Sequence, residues 1–372
     1  MQIKAAVLNG YNQPYELENL ELSSIKEDEV LVKIVASGMC QSDETNRKGY
    51  DGYTQLPTVL GHEGSGIVEK IGKNVVGIEP GDHVVITYAY CGHCDSCLTG
   101  LPVSCDDWDL NFLGKRQDET PYFTKEDGTP VMRFFGQSSF STYSIVSPSS
   151  LTKVDKSIDL RLVGPLGCGF ITGSGTVFNV LKPEPGTTIA VFGTGAVGLA
   201  AMMAAKISGC TKIIAVDIHD NRLDLAKELG ATHTINSKNI NVVDAIRELT
   251  NGKGVNYSVD TTGVQAVVKD SIKVLAVGGS VAPLGMGGDI DINIFEDLAM
   301  ENRNIVGARI GKAVPQLSIR QMVEFYKEGN FAFDKLVKFY KFEDINEAAD
   351  ESSSGKVIKP ILVIDETYTP GS

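Results

Sequence analysis

Residues 187–217 read TTIAVFGTGAVGLAAMMAAKISGCTKIIAVD. An apolar β-run (TTIAVF) passes through glycine-rich punctuation into a long alanine- and methionine-rich helical run, and a second β-run ends in an acid. The punctuation, Gly193-Thr194-Gly195-Ala196-Val197-Gly198, is a GxGxxG pattern. Alone it is a weak signal, and a glycine turn without a ligand remains an alternative. Between a strand and a helix it becomes specific. The first glycine permits a tight turn, the second lets a pyrophosphate approach the backbone, and the third allows close helix–strand packing. The helix start then offers unpaired N–H groups to the phosphates, with Ala196 and Val197 in its first turn. Asp217 ends the next strand, where a carboxylate accepts from adenosine ribose hydroxyls and repels a 2′-phosphate, favouring NAD over NADP. A helix N-cap role is its simpler alternative. Arg222 and His219 lie near enough to keep NADP open.

Downstream the alternation continues. NRLDLAKELG (221–230) reads as an amphipathic helix stopped by Gly230, and THTIN, VNYSVDTTG, GGSVAPLG and NIVGAR as strands or strand ends with helices between them. That rhythm predicts a doubly wound parallel sheet. Upstream, residues 1–150 hold short β-runs (IKAAVL, EVLVKIVASG, GSGIVEKIG, GDHVVITY, FSTYSIV) broken by glycine and proline. A compact all-β unit is expected there. From about residue 313 a helix around SIRQMVEFYKEG precedes a strand, KPILVID.

Composition narrows the function classes. The 372 residues carry a net charge of −13, with 42% hydrophobic and 22% charged residues, as in an ordinary globular protein. The acidity argues against nucleic-acid or anionic-membrane partners. No run approaches a membrane span, and the first residues lack an export signal, so a cytoplasmic protein is expected.

In a reducing compartment clustered thiols favour metal. Cys91, Cys94, Cys97 and Cys105 follow C-x2-C-x2-C-x7-C. Four thiolates complete a tetrahedral shell, which supports folding and leaves no open position, so this reads as a structural zinc site. Cys40 in GMCQSDE and Cys168 in GPLGCGFITG sit among glycines that let the chain bend around a ligand, with Gly61-His62-Glu63 between them. A Cys–His–Cys set is a catalytic zinc pattern, although spacing alone does not decide it. Cys210 reads as a small buried hydrophobe, and His83, His93, His219 and His233 carry no ligand pattern.

GMCQSD, GHEGSGIV, the four-cysteine lobe, GPLGCGFITG, GTGAVG and Val216-Asp217 occur in one order across nearly the whole chain. Together they resemble the medium-chain, zinc-dependent alcohol dehydrogenase family; FFGQSSFSTY and GPLGCGFITGSGT look most like its aryl-alcohol (benzyl-alcohol) branch. The resemblance implies an α/β two-domain protein. A GroES-like β-barrel catalytic domain would span 1–169 and 313–372, and a Rossmann NAD-binding domain 170–312. It places a catalytic zinc on Cys40, His62 and Cys168, giving two Zn2+ per chain, with Glu63 beside the metal and Asp43 orienting His62. Ser42 becomes the first proton carrier, Thr172 lies against the nicotinamide, Lys359 contacts the pyrophosphate, and Arg222 stands beside the ribose. A homodimer or homotetramer is implied, with apolar edges around NIVGARIG.

The chain departs from the family at Thr45, where many relatives carry the histidine that ends the proton relay, and at Gln41, which replaces a basic residue. The polar insertion from Asp106 to Met132 has no functional reading. Phe134 and Phe135 align with the pocket-lining stretch, and Tyr50 or Tyr53 would close the opposite side; a core role is the alternative for these aromatics. The expected activity is reversible oxidation of a primary, aromatic alcohol to its aldehyde with NAD. An allylic terpene or general medium-chain alcohol dehydrogenase is the nearest rival, and a zinc-lobe binding module the non-enzymatic one.

Overall fold

The computed structural model describes residues 1–371 except 51, 53, 108, 111–115 and 117. The chain divides into two compact units. One comprises Met1–Cys168, Val314–Glu324 and Phe333–Ser372; the other comprises Gly169–Ala313 and Phe325–Ala332. The sequence reading kept the whole tail with the first domain. Instead Phe325 packs its ring against Phe178, centroids 5.8 Å apart, and 325–332 groups with the second unit.

The first unit is built on two sheets. Strands Gln2–Leu8, Glu16–Leu22, Phe123–Thr124, Pro130–Arg133 and Thr58–Val59 close a small barrel. A second sheet runs Leu151–Lys153, His83–Ile86, Glu63–Ile71, Val30–Gly38, Lys359–Val363, Val337–Lys341, with Tyr143–Val146 pairing beside Val30–Gly38. Val30–Gly38 is buried at eight of its nine positions, so apolar residues fall on both its faces. Val30, Val32 and Ile34 join one core cluster and Leu31 another. Each such side chain stabilises by about 1.5–3 kcal/mol when fully buried. Lys359–Val363 pairs antiparallel with it, Ile361 opposite Gly38 and Val363 opposite Ala36, which brings the tail back to the first unit.

The polar insertion acquires an anchor. Arg116 is 8% exposed; its Nε and Nη2 donate to the Glu29 carboxylate at 2.7 and 2.6 Å, and Nη1 to Ser23 Oγ at 2.8 Å. Its guanidinium also lies 4.2 Å from the Tyr122 ring centroid. A bidentate Arg–carboxylate pair with an aromatic face beside it ties Arg116 to the residue just before Val30–Gly38.

The second unit is a parallel sheet in the order His233–Asn236, Lys212–Asp217, Thr188–Phe192, Val255–Asp260, Leu275–Pro283, Asn304–Ile305. Connections leave in opposite directions from Thr188–Phe192, so its carboxyl end is the topological switch point at which such sheets bind ligands. The GTGAVG turn sits there.

Candidate metal centre and dinucleotide site

A short helix, Gln41–Arg47, starts at Cys40 and brings Asp43 one turn round onto the cysteine's own main chain. Asp43 is fully buried. Its Oδ2 accepts the Cys40 N–H at 2.9 Å, while Oδ1 accepts the Gly61 N–H at 3.1 Å and lies 2.8 Å from His62 Nδ1. With Nδ1 so engaged, His62 presents Nε2, a buried nitrogen with no hydrogen-bond partner among the described residues. One ligand atom each from Cys40, His62, Glu63 and Cys168 lie within 4.8 Å of one another. Residues remote in sequence thus converge on a site with two sulfurs, one orphaned imidazole nitrogen and a carboxylate, which fits a zinc ion. The Cys168 hydrogen bond pulls the Cys40 thiol well below its ordinary value, and Cys168 moves up. Burial alone would lower His62, but the adjacent Asp43 carboxylate holds it well above the usual range.

Glu63 and Lys359 form a buried ion pair. Lys359 Nζ donates to the carboxylate at 2.8 and 3.0 Å and to the Met39 carbonyl at 3.1 Å. Burial lifts Glu63 to about 7, with Lys359 opposing it. Lys359 is 2% exposed, and its ammonium is committed inward. This lysine neutralises a carboxylate beside the metal ligands, and the pyrophosphate contact implied by the resemblance stays a proposal.

Gln137 was not singled out from sequence. It is 1% exposed, donates from Nε2 to the His62 carbonyl at 2.8 Å, and accepts the Gly64 N–H at 3.2 Å. Its amide thus stands in for a strand along 62–64. A glutamine acting through main chain carries no spacing signature; its position in FFGQSS is the only cue.

Phe134 and Phe135 stack at 4.1 Å between centroids, and their rings meet His62 edge-on at 5.6 and 5.2 Å. Phe134 also belongs to the barrel core, so wall and core coincide. Tyr50 is 76% exposed, and Tyr53 lies outside the described residues. Ser42 Oγ lies 3.9 Å from Cys40 Sγ, and the Ser42 carbonyl accepts from Asn46 at 2.7 Å.

In the lobe, the sulfurs of Cys91, Cys94, Cys97 and Cys105 also lie within 4.8 Å of one another. Cys91 and Cys97 sulfurs are 4.0 Å apart, near the roughly 3.8 Å edge of a tetrahedral zinc–thiolate shell. The main-chain N–H groups of His93 and Cys94 point at Cys91 Sγ, and that of Cys91 at Cys105 Sγ. Such donors stabilise thiolates. Cys210, away from both clusters, is buried beside Thr187, and His83 is 2% exposed within a strand.

In the second unit Gly193 has φ +88°, and a Cβ there would stand 2.4 Å from Thr261 Oγ1. A Cβ on Gly198 would strike the Gly193 carbonyl at 1.9 Å. At Gly195 a Cβ would meet nothing within 4 Å, the open side a pyrophosphate needs. Helix Ala196–Ile207 begins there with no side-chain cap, leaving its first N–H groups to a ligand. Asp217 is 8% exposed. Burial alone would raise its pKa, but hydrogen bonds from Thr194 outweigh that and Arg222's charge acts in the same direction, so it is lowered. Thr172 lies half-buried on helix Gly169–Gly175.

A parallel sheet with a glycine-rich switch point, and a barrel-bearing unit with two metal-ligand clusters, define a zinc-binding dehydrogenase. The family models agree: residues 26–156 match the alcohol dehydrogenase GroES-like domain and residues 196–328 the zinc-binding dehydrogenase domain. Geraniol dehydrogenase of Castellaniella defragrans is 38% identical over 366 residues, 97% of each chain. Among solved structures, benzyl alcohol dehydrogenase from Acinetobacter calcoaceticus superposes with TM-score 0.92 at 42% identity, covering 98% of this chain and 99% of that one. An alcohol dehydrogenase zinc-binding domain protein from Burkholderia ambifaria does so with TM-score 0.95 at 44% identity, over 98% and 100%. The chain belongs to the medium-chain zinc-dependent alcohol dehydrogenase family. Among the described residues no helix is long and apolar enough to cross a membrane.

Proposed function

We propose that this chain reversibly oxidises a primary aromatic alcohol to its aldehyde with NAD. The observation that carries the aromatic assignment is the stacked Phe134–Phe135 pair, edge-on to His62, a flat apolar wall beside the metal ligands. When bound, zinc supplies Lewis-acid polarisation of the alcohol oxygen and the nicotinamide supplies the hydride acceptor. Cys40, His62 and Cys168 hold the metal, and Asp43 keeps the imidazole turned with Nε2 toward it. Ser42 takes the hydroxyl proton at Oγ, and with Thr45 in place of an imidazole the proton leaves through water or the threonine hydroxyl. Gly195 and the start of helix Ala196–Ile207 receive the pyrophosphate, Asp217 and Arg222 the adenosine ribose, and Thr172 the nicotinamide. Replacing Ser42 with alanine should lower kcat by about 10²–10⁴ while leaving NAD affinity unchanged.

A second reading, an allylic terpene alcohol, is favoured by the 38% identical geraniol dehydrogenase. Steady-state kcat/KM for benzyl alcohol, geraniol and hexanol, each with NAD and with NADP, separates the readings. Benzyl alcohol with NAD should lead. A lead for geraniol moves the assignment to the terpene class, equal rates with hexanol sink the flat-wall argument, and a preference for NADP sinks the role given to Asp217.

The reading extends to a cytoplasmic homodimer or homotetramer. The sheet-edge strand Asn304–Ile305 and the exposed Ile294, Phe295 and Met300 support self-association through the second unit. A single-chain mass in light scattering would reject it.

A further inference from the structure

Asp217 receives four hydrogen bonds from the described residues. Oδ1 accepts the N–H of Ile218 at 2.7 Å and of His219 at 3.0 Å. Oδ2 accepts both the N–H and the hydroxyl of Thr194 at 2.7 Å. An ionised carboxylate offers about four lone-pair positions, so all of them are filled before any ligand arrives. Three donors are main-chain groups fixed by the glycine turn and the strand end. The fourth is a hydroxyl on one rotatable bond. Thr194 is 0% exposed, and its hydroxyl donates to no other group among the described residues.

We infer that Thr194 is a positioning residue for the adenosine ribose: its hydroxyl keeps the place on Asp217 that a ribose hydroxyl takes, and must be turned away for the dinucleotide to seat. The inference rests on reading Asp217 as the ribose acceptor. Without the dinucleotide the threonine keeps the carboxylate oriented. On binding, one O–H···O⁻ contact is exchanged for another, and a buried hydroxyl is left without its acceptor, which opposes binding. Valine at this position keeps the branched shape and removes that opposition.

The test is equilibrium titration of NADH, followed by its fluorescence, on wild type, Thr194→Val, Thr194→Ala, Thr194→Ser and Asp217→Asn. The same titrations use an NADH analogue whose adenosine ribose lacks both hydroxyls. Thr194→Val and Thr194→Ala should bind NADH about tenfold more tightly than wild type, and Thr194→Ser within about twofold of it. The dideoxy analogue, which has no hydroxyl to exchange, should bind wild type and Thr194→Val alike. Absence of the gain in both hydroxyl-free variants overturns the inference. So does an equal gain for the dideoxy analogue, which would mean a merely structural effect. If Asp217→Asn binds NADH as wild type does, the ribose reading of Asp217 itself fails, whatever Thr194 does.

Discussion

Asp43 gives three contacts to the metal-ligand cluster, to the Cys40 and Gly61 main chain and to His62 Nδ1. Its effect passes through ligand geometry. Asp43→Asn puts an amide in place of a carboxylate beside the imidazole and should weaken the zinc held by Cys40, His62 and Cys168 by 10- to 100-fold, roughly the range for such outer partners. Zinc counted per chain during chelator titration should fall from two to one well before wild type does, the four-cysteine zinc staying in place. Equal chelator resistance in the two proteins would count against it. At this scale the sequence was most informative where chemistry needs a rare residue type. Cysteines 40 and 168 and His62 were nameable because thiols and imidazoles are few. The partners that position them were legible only in part: Asp43 came from family resemblance, Gln137 from nowhere, and the pairing of Lys359 with Glu63 had no cue in the spacing.

Among the elements, the lobe from Cys91 to Cys105 is held by little else. Its α-helix, Asp95–Leu98, is four residues long and buries none of them, and the 3-10 turn Pro102–Ser104 buries only Pro102 and Val103. A segment so poor in apolar burial depends on its metal for order. Cys97→Ser should therefore drop zinc from two to one per chain and expose the lobe to protease, with cleavage sites mapping to 91–105 by mass spectrometry. The glycines of GPLGCGFITG teach a different lesson. They suggested a chain bent around a ligand, yet the run forms a helical turn and a helix, and the glycines serve close packing. A Cβ would stand 2.1 Å from the Glu63 carbonyl at Gly164, 2.3 Å from that of Ile86 at Gly167, and 2.0 Å from that of Val197 at Gly173. Glycine frequency cannot distinguish a bend from a close approach, because both remove the same methyl group. The parallel strands were clearer, since βα alternation leaves a periodic trace that short barrel strands of two residues, such as Thr58–Val59, do not.

For the molecule as a whole, acid stability has an identifiable contributor. Burial alone would raise the Glu29 carboxyl, but Arg116's paired N–H groups outweigh it and hold it below its ordinary 4.5. A carboxyl depressed in the folded state stabilises fully above pH 4.5 and loses that contribution as pH falls through the folded value. Glu29→Gln should cost about 3 kcal/mol at neutral pH by leaving Arg116 buried without its counter-charge. The gap between wild type and variant in urea denaturation should narrow steadily below pH 4.5. A gap that is constant from pH 7 to 3 would remove Glu29 from the account.

The pairing of Lys359–Val363 with Val30–Gly38 joins segments about 320 residues apart, as the contact from Lys359 to Met39 also does. A ribosome delivers the first of them long before the second. The barrel-bearing unit must wait with an unfilled sheet position and Glu63 lacking its ammonium partner, while most of the other unit, Gly169–Ala313, emerges as one contiguous stretch able to fold during synthesis. The carboxylate beside Cys40, His62 and Cys168 thereby gains its ammonium partner only after the main stretch of the second unit has been made.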